Sequence, residues 1–414
     1  MTSRWMKVVP AAALAAVLLV GCGSPPAEFR EYATYARKVE ESIGDDFRFT
    51  SEQRENLDTI MASLFGTPDQ PALPKLEGID LSQVVDLTKL RMAAGPVFSD
   101  ENGRPHGLYR EHCAHCHGIT GDGAGPTAIF LNPYPRDYRP GKYKFKSTPV
   151  GAKPTHEDLT KIVFDGIPGT AMPSFKLLPS DELDALVHYV KYLSIRGETE
   201  RALLTMLADT DEGQPLVDVN AKDPAVMQEQ LAYVTETVGQ VVERWVLASE
   251  EVVDIPPRPS MNEEELTASI NRGRDLFYGT IANCVKCHGD SALGDGQTND
   301  YDEWAKEFMQ PNDPASAEPY VALGLLPPRT IKPRNLRLGV YRGGQRPIDI
   351  FWRVRLGIEG TPMPAATLKQ EDDPNSKGLS ENDIWDIVNY VQSLPQEAIS
   401  NPYDAVPHNL RERL

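Results

Sequence analysis

The sequence predicts an all-α protein built from two similar helical modules in tandem, with additional helices before the first module and between the two. Apolar residues recur at helical spacing in several segments that begin with typical capping residues. The same order of short motifs also occurs twice along the chain, which is typical of a duplicated domain. The 414 residues are enough for two or three domains.

Composition argues against two classes of function. The chain carries 60 acidic and 42 basic residues, a net charge of −18, which disfavours binding to a nucleic-acid backbone. Beyond the first 20 residues, no stretch is apolar enough to span a bilayer, which disfavours a multi-span transporter. We therefore expect no nucleic-acid partner.

The start of the chain is typical of an exported lipoprotein. Arg4 and Lys7 precede an apolar run over residues 8–20, and the segment 19–22 resembles the bacterial lipobox. We predict that residues 1–21 are a lipoprotein signal peptide and that Cys22 is lipidated. The mature chain would then be attached to a membrane on its periplasmic or extracytoplasmic side. A plain signal peptide with an incidental Cys22 is the alternative.

The other four cysteines form two Cys-x-x-Cys-His motifs, which are the attachment signature of haem c. The two thiols of such a motif add across the vinyl groups of one porphyrin, and the adjacent histidine binds the iron. A zinc ribbon, a thioredoxin-type redox pair and ordinary disulfides each leave the spacing or the histidines unexplained. The sequence therefore predicts two covalently bound haem c groups, attached at Cys113, Cys116, Cys284 and Cys287, with His117 and His288 as iron ligands.

A second repeated motif supplies the other axial ligands. Met172 and Met363 both lie in Gly-x-x-Gly-Thr-x-Met-Pro. The proline after each methionine disfavours helix there, so the thioether is presented from an extended loop. The alternative is that these methionines are simply packed, as we expect for Met206 and Met227, whereas Met309 follows His288 by only 21 residues.

Each module resembles a class I cytochrome c domain, in which a helix leads into Cys-x-x-Cys-His and is followed by a long loop, a methionine ligand and a closing helix. The resemblance covers residues 96–197 and 263–397 and implies a small helical fold around each haem. It also implies that the carbonyl of Pro126 orients His117. The second module lacks this proline, which leaves the orientation of His288 open. Arg136 and Arg334 are predicted to pair with haem propionates, or else to be surface residues.

The remaining segments are predicted to be scaffold. Residues 22–95 would form a tether and an N-terminal helical extension, in which Thr50 begins a capping box. Residues 198–262 would form a helical interdomain segment with a helix starting at Asp223-Pro224, and residues 398–414 a C-terminal tail. Ser180 and Ser380 are predicted to cap the closing helices of the two modules.

These features predict a membrane-anchored dihaem cytochrome that transfers single electrons between respiratory-chain components outside the cytoplasm. Iron with both axial positions filled exchanges electrons and does not readily bind substrate, so we expect no catalytic residues. The resemblance implies redox partners such as a quinol-oxidising complex, a terminal oxidase or a dehydrogenase. A dihaem cytochrome c peroxidase-like enzyme and a haem-based ligand sensor are the alternatives, and both need an open iron position.

Overall fold

The computed structural model describes residues 26–397, except residues 77, 79, 212, 371 and 374. The predicted signal peptide, Cys22 and the predicted tail 398–414 therefore lie outside the described residues. The described segments form fourteen α-helices: α1 (Ala33–Ile43), α2 (Ser51–Phe65), α3 (Leu87–Ala93), α4 (Leu108–His112), α5 (Ala114–His117), α6 (His156–Asp165), α7 (Ser180–Ala208), α8 (Pro224–Val246), α9 (Glu263–Tyr278), α10 (Val285–His288), α11 (Glu303–Glu307), α12 (Glu318–Ala322), α13 (Pro347–Leu356) and α14 (Glu381–Ser393).

The strands are short. β1 (Phe98–Ser99) pairs antiparallel with β2 (Pro105–His106), and β3 (Asp300–Tyr301) pairs antiparallel with β4 (Thr330–Ile331). The all-α prediction with two tandem helical units is therefore confirmed. In the described segments, no helix has both the length and the apolar character needed to cross a membrane.

Helix α7 is the centre of the first core. Helices α1, α2, α3, α4, α6 and α8 all pack against it. Most of its residues are buried, including Leu186, Tyr189 and Leu193, as expected for a helix surrounded by protein on all sides. The N-terminal and interdomain helices therefore belong to the same core as the first module. The boundary that we predicted after residue 197 falls inside α7, which continues to Ala208.

Several predicted helix starts are confirmed. The Thr50 hydroxyl accepts a hydrogen bond from Gln53 N–H (3.1 Å), and the Gln53 side chain accepts one from Thr50 N–H (3.0 Å). Helix α8 begins at Pro224 after the Asp223 cap, and Ser380 caps α14. Ser180 differs from the prediction, because it is the first residue of α7 and makes no side-chain cap.

Helices α9, α13 and α14 enclose a second, smaller core. Helices α9 and α14 cross closely at Gly273, where a Cβ atom would lie 1.9 Å from the carbonyl oxygen of Asp386. Beside the crossing, Arg272 binds the Asp386 carboxylate through two nitrogens (2.7 and 2.9 Å), and Ser269 donates to it (2.5 Å). This core holds the second Cys-x-x-Cys-His segment, which follows α9 directly.

Candidate haem-binding sites

The two Cys-x-x-Cys-His segments fold in the same way. Helices α5 and α10 are single turns in which the histidine N–H bonds the carbonyl of the first cysteine, at 2.9 Å for both His117–Cys113 and His288–Cys284. Each turn ends at a glycine with positive φ, 74° at Gly118 and 80° at Gly289, a conformation that other residues rarely adopt. One helical turn thus brings both thiols and the imidazole of a motif together.

A backbone carbonyl orients each imidazole ring. Nδ1 of His117 lies 3.0 Å from the carbonyl oxygen of Arg136, and Nδ1 of His288 lies 3.1 Å from that of Arg334. When Nδ1–H donates to this carbonyl, Nε2 keeps its lone pair for a metal ion. The expectation that Pro126 orients His117 is therefore corrected. His288 is oriented in the same way as His117, although its module lacks the proline.

Close contact between two loops explains why this carbonyl reaches the histidine. In each module, the loop that bears the arginine crosses the loop after the histidine at a glycine. A Cβ atom on Gly123 would lie 2.8 Å from the carbonyl oxygen of Pro135, and one on Gly294 would lie 2.3 Å from that of Pro333. Both glycines also have positive φ, 71° and 80°. This crossing carries the next carbonyl, that of Arg136 or Arg334, onto the imidazole.

Burial keeps both imidazoles neutral. It lowers the pKa of His117 to about 4 and also lowers the pKa of His288, although each ring gains a hydrogen bond to its carbonyl that acts in the opposite direction. A neutral imidazole is the form that binds iron.

The two methionine loops are held by the same set of hydrogen bonds. In the first loop, Ile167 N–H donates to the Met172 carbonyl (3.1 Å), and Met172 N–H donates to the Thr170 hydroxyl (3.1 Å). In the second, Ile358 N–H donates to the Met363 carbonyl (3.1 Å), and Met363 N–H donates to the Thr361 hydroxyl (3.2 Å). The threonine of each repeated motif therefore fixes the backbone beside its methionine.

The second module encloses a cavity of about 880 Å³ whose wall includes Cys284, Cys287, His288 and Met363. The structure thus brings together all four residues that the sequence assigns to the second haem. Most of the remaining wall is apolar and includes Phe277, Ile350, Leu379, Ile387 and Val391. An apolar cavity with an imidazole, a thioether and two thiols on its wall fits a haem c group.

The same cavity has buried donors without partners. The Nε atoms of Arg334, Arg342 and Arg353 are buried and donate to no acceptor among the described residues, and all three arginines line the cavity. Buried guanidinium donors of this kind fit the carboxylates of haem propionates. Sequence reasoning identified Arg334 and missed Arg342 and Arg353, which no motif marks.

Arg136, the counterpart of Arg334, has a neighbour that the sequence does not indicate. Its guanidinium stacks on the ring of Trp304, a residue of the second module. Its assignment to a propionate stays a prediction.

Three methionines that the sequence did not assign to iron are packed inside the protein. Met206 and Met227 pack against the first core, and Met309 is buried.

His156 and His188 lie on either side of Asp184, with Nε2–carboxylate distances of 3.0 and 3.4 Å. Asp86 N–H donates to Nδ1 of His188 (3.2 Å), so the proton of the neutral ring is on Nε2 and faces the carboxylate. This arrangement is a hydrogen-bonded cluster, since a metal ion would need that Nε2 lone pair.

Comparison with known proteins identifies the same two regions. Residues 100–190 match the family model described as cytochrome c oxidase, cbb3-type, subunit III, and residues 270–395 match the family model described as cytochrome c. No curated protein matches the chain. A chain in the solved Kuenenia stuttgartiensis reducing HAO-like protein complex is 24% identical, with 72% of this chain and 97% of that chain covered and a TM-score of 0.45.

Proposed function

Because this chain belongs to the class I cytochromes c and has two such domains in tandem, we propose that it relays single electrons through two covalently bound haems outside the cytoplasm. Haem c supplies the one-electron couple. The observation that carries the proposal is the cavity of the second module, whose wall joins His288 and Met363 with both cysteines. The first module has the same imidazole and methionine-loop hydrogen bonds, which supports an equivalent site there.

The protein side chains would bind, orient and shield the cofactor. The four cysteines attach it, and the Arg136 and Arg334 carbonyls fix the rings of His117 and His288. Met172 and Met363 would each supply a thioether ligand to one iron, which would raise its potential, suit electron transfer and disfavour substrate binding.

The location and partners follow from the export signal and the charge. Removal of residues 1–21 takes away Arg4 and Lys7, so the net charge changes from −18 to −20, and Cys22 becomes the lipid-bearing first residue. The acidic chain would then meet a redox partner with a basic docking surface, such as a quinol-oxidising complex, a terminal oxidase or a dehydrogenase.

The lipid anchor can be tested separately, because Cys22→Ser should release the protein from the membrane fraction. Retention of this variant on membranes would contradict the anchor.

The central test is a spectroelectrochemical titration of the purified protein with and without carbon monoxide, together with haem quantification. We expect two haems per chain, both of high potential, both unreactive with carbon monoxide, and a far-red absorbance band of methionine-ligated ferric iron. A haem of low potential that binds carbon monoxide would contradict the relay and favour the peroxidase-like or sensor function. A single haem per chain would contradict the dihaem assignment.

A further inference from the structure

A short segment of the first module, residues 144–146, is attached to the second module. Arg353 of α13 donates to the carbonyl oxygens of Lys144 (3.0 Å) and Lys146 (2.7 Å). The ammonium of Lys146 forms an ion pair with Glu359 at 2.5 Å, and both side chains are buried. Phe145 packs against Gly343, where a Cβ atom would lie 2.5 Å from its ring. This segment is therefore fixed against the wall of the second cavity.

Lys144 itself forms part of that wall, although it belongs to the first module. Among the described residues, its ammonium has no hydrogen-bond or ion-pair partner, and it lies 5.4 Å from the centroid of the Trp304 ring. Burial, followed by repulsion from Arg136, lowers the pKa of Lys144 to about 7; Asp302 opposes this shift, and Arg342 adds to it. An ammonium in these surroundings needs an anion.

The cavity does not supply that anion from protein. The basic residues on its wall are Lys144, Lys286, Lys332, Arg334, Arg342 and Arg353, whereas Asp300 is the acidic residue on it. The Asp300 carboxylate is already engaged by Lys306 (2.7 Å) and by the Gln297 amide (3.1 Å). Arg342, like Lys144, has no hydrogen-bond or ion-pair partner among the described residues, and its buried Nε faces no acceptor. The wall therefore has an excess of positive charge on the side shared by the two modules.

We propose that the first module completes the second haem site, with Lys144 joining Arg342 in binding a propionate of the second haem across the module boundary. The proposal rests on the proposed function, since it requires haem in the second module. It explains why the Lys144 ammonium and the Arg342 guanidinium, whose Nε is buried, face one cavity without a hydrogen-bond or ion-pair partner among the described residues. It also makes the potential of one haem depend on a residue of the other module.

The test compares Lys144→Met with Lys142→Met by equilibrium redox titration of the haem-loaded full-length protein. Lys142 is two residues away, loses the same charge when substituted and does not line the cavity. A nearby ammonium disfavours the more positive ferric state, so its loss should lower the potential of the second haem. We expect about a tenfold change in the reduction equilibrium, which is about 59 mV for one electron.

Two further variants make the result specific. A chain with Cys284→Ala and Cys287→Ala retains only the first haem and so identifies its potential. Lys144→Arg should restore the wild-type potential, because it keeps the charge, and Lys144→Gln gives a second neutral variant. The far-red methionine band should stay unchanged in Lys144→Met, whereas a merely structural role would weaken it.

The outcomes separate the two proposals. If two haems are present and Lys144→Met has the wild-type potentials, the cross-module site is wrong and the relay stands. The same conclusion follows if Lys144→Met and Lys142→Met lower the haem potentials by the same amount. If the wild-type second module carries no haem, the proposed dihaem function is itself wrong.

Discussion

The guanidinium of Arg136 lies on the ring of Trp304, with Cζ 3.5 Å from the ring centroid. The backbone carbonyl of Arg136 orients His117 in the first module. Trp304 lies in α11 of the second module and packs on Gly360, where a Cβ atom would be 1.7 Å from the ring. Since Gly360 belongs to the loop of Met363, the stack joins the histidine side of one haem site to the methionine side of the other.

This stack should stabilise the docking of the two modules. Arg136→Lys keeps the charge and the carbonyl but loses the planar group that stacks on the indole. We expect the free energy of unfolding to fall by about 1 kcal/mol, the range of a partly desolvated cation–π pair. Denaturant titration measures this, with Arg30→Lys as the control, because that side chain is 75% exposed. An equal effect of the two substitutions would show that the stack contributes nothing.

The crossing of α9 and α14 should tolerate no side chain at Gly273. A Cβ atom there would lie 1.9 Å from the Asp386 carbonyl, so Gly273→Ala must push two helices apart. We expect a loss of about 2–3 kcal/mol in the free energy of unfolding, as for an overpacked core. Gly44→Ala is the control, since a Cβ atom at Gly44 meets no atom within 4 Å. A Gly273→Ala protein as stable as the control would contradict this packing.

The parts of the site that sequence predicts are those set by local chemistry. Two thiols three positions apart and an adjacent histidine are required by one porphyrin edge, so Cys284, Cys287 and His288 are visible as a motif. The threonine-to-methionine hydrogen bonds are also local. The carbonyl acceptor for His117 is 19 residues away and depends on how a loop crosses Gly123, which no local pattern encodes. Lys144 enters the second cavity through docking of the modules, and this docking is not visible in either module alone.

Lys191 should make stability depend on pH. Burial lowers its pKa to about 8, although Glu157 and Asp184 favour the charged form, and Nδ1 of His156 lies 3.2 Å from its nitrogen. Between pH 8 and the ordinary lysine pKa of about 10.4, the unfolded chain binds more protons than the folded chain. The free energy of unfolding contributed by this group should therefore rise with pH through that window, by up to about 3 kcal/mol.

The matched variant is Lys191→Met, which removes the titrating group. At pH 7 it should be the more stable protein, and its advantage should vanish as the pH approaches about 10. Taking the difference between wild type and variant at each pH cancels the contributions of the other titrating groups. A difference that stays constant with pH would contradict the lowered pKa of Lys191.

The axial ligands should be separable by single substitutions. If Met172 is an iron ligand as proposed, Met172→Ala should lower the potential of one haem only and open that iron to carbon monoxide, because a thioether ligand raises the potential and occupies the position that carbon monoxide would take. Redox titration and carbon monoxide difference spectra measure both effects. Met206→Leu is the control, since Met206 packs against the first core. Spectra and potentials identical to wild type in Met172→Ala would show that another residue binds this iron.

The buried ion pair between Lys146 and Glu359 should hold the methionine loop of the second module. Glu359 follows Ile358, whose N–H donates to the Met363 carbonyl, so the pair connects this loop to the first module. Glu359→Gln leaves the Lys146 ammonium buried without a counter-charge, although Lys146 keeps its hydrogen bond to the Pro149 carbonyl (2.7 Å). Removing one partner of a buried pair costs about 3–5 kcal/mol, which is the expected loss in the free energy of unfolding.

The same variant should also weaken ligation of one iron. A loosened loop should weaken the binding of Met363 to its iron. The far-red methionine band should then lose up to half of its intensity, because one of two haems is affected, and carbon monoxide should bind one haem per chain. Glu264→Gln is the control, because Glu264 lies exposed in the first turn of α9 in the same module. If both variants retain the full band and equal stability, the Lys146–Glu359 pair does not position Met363. If stability falls while the band is intact, the pair holds the modules together without acting on the iron ligand.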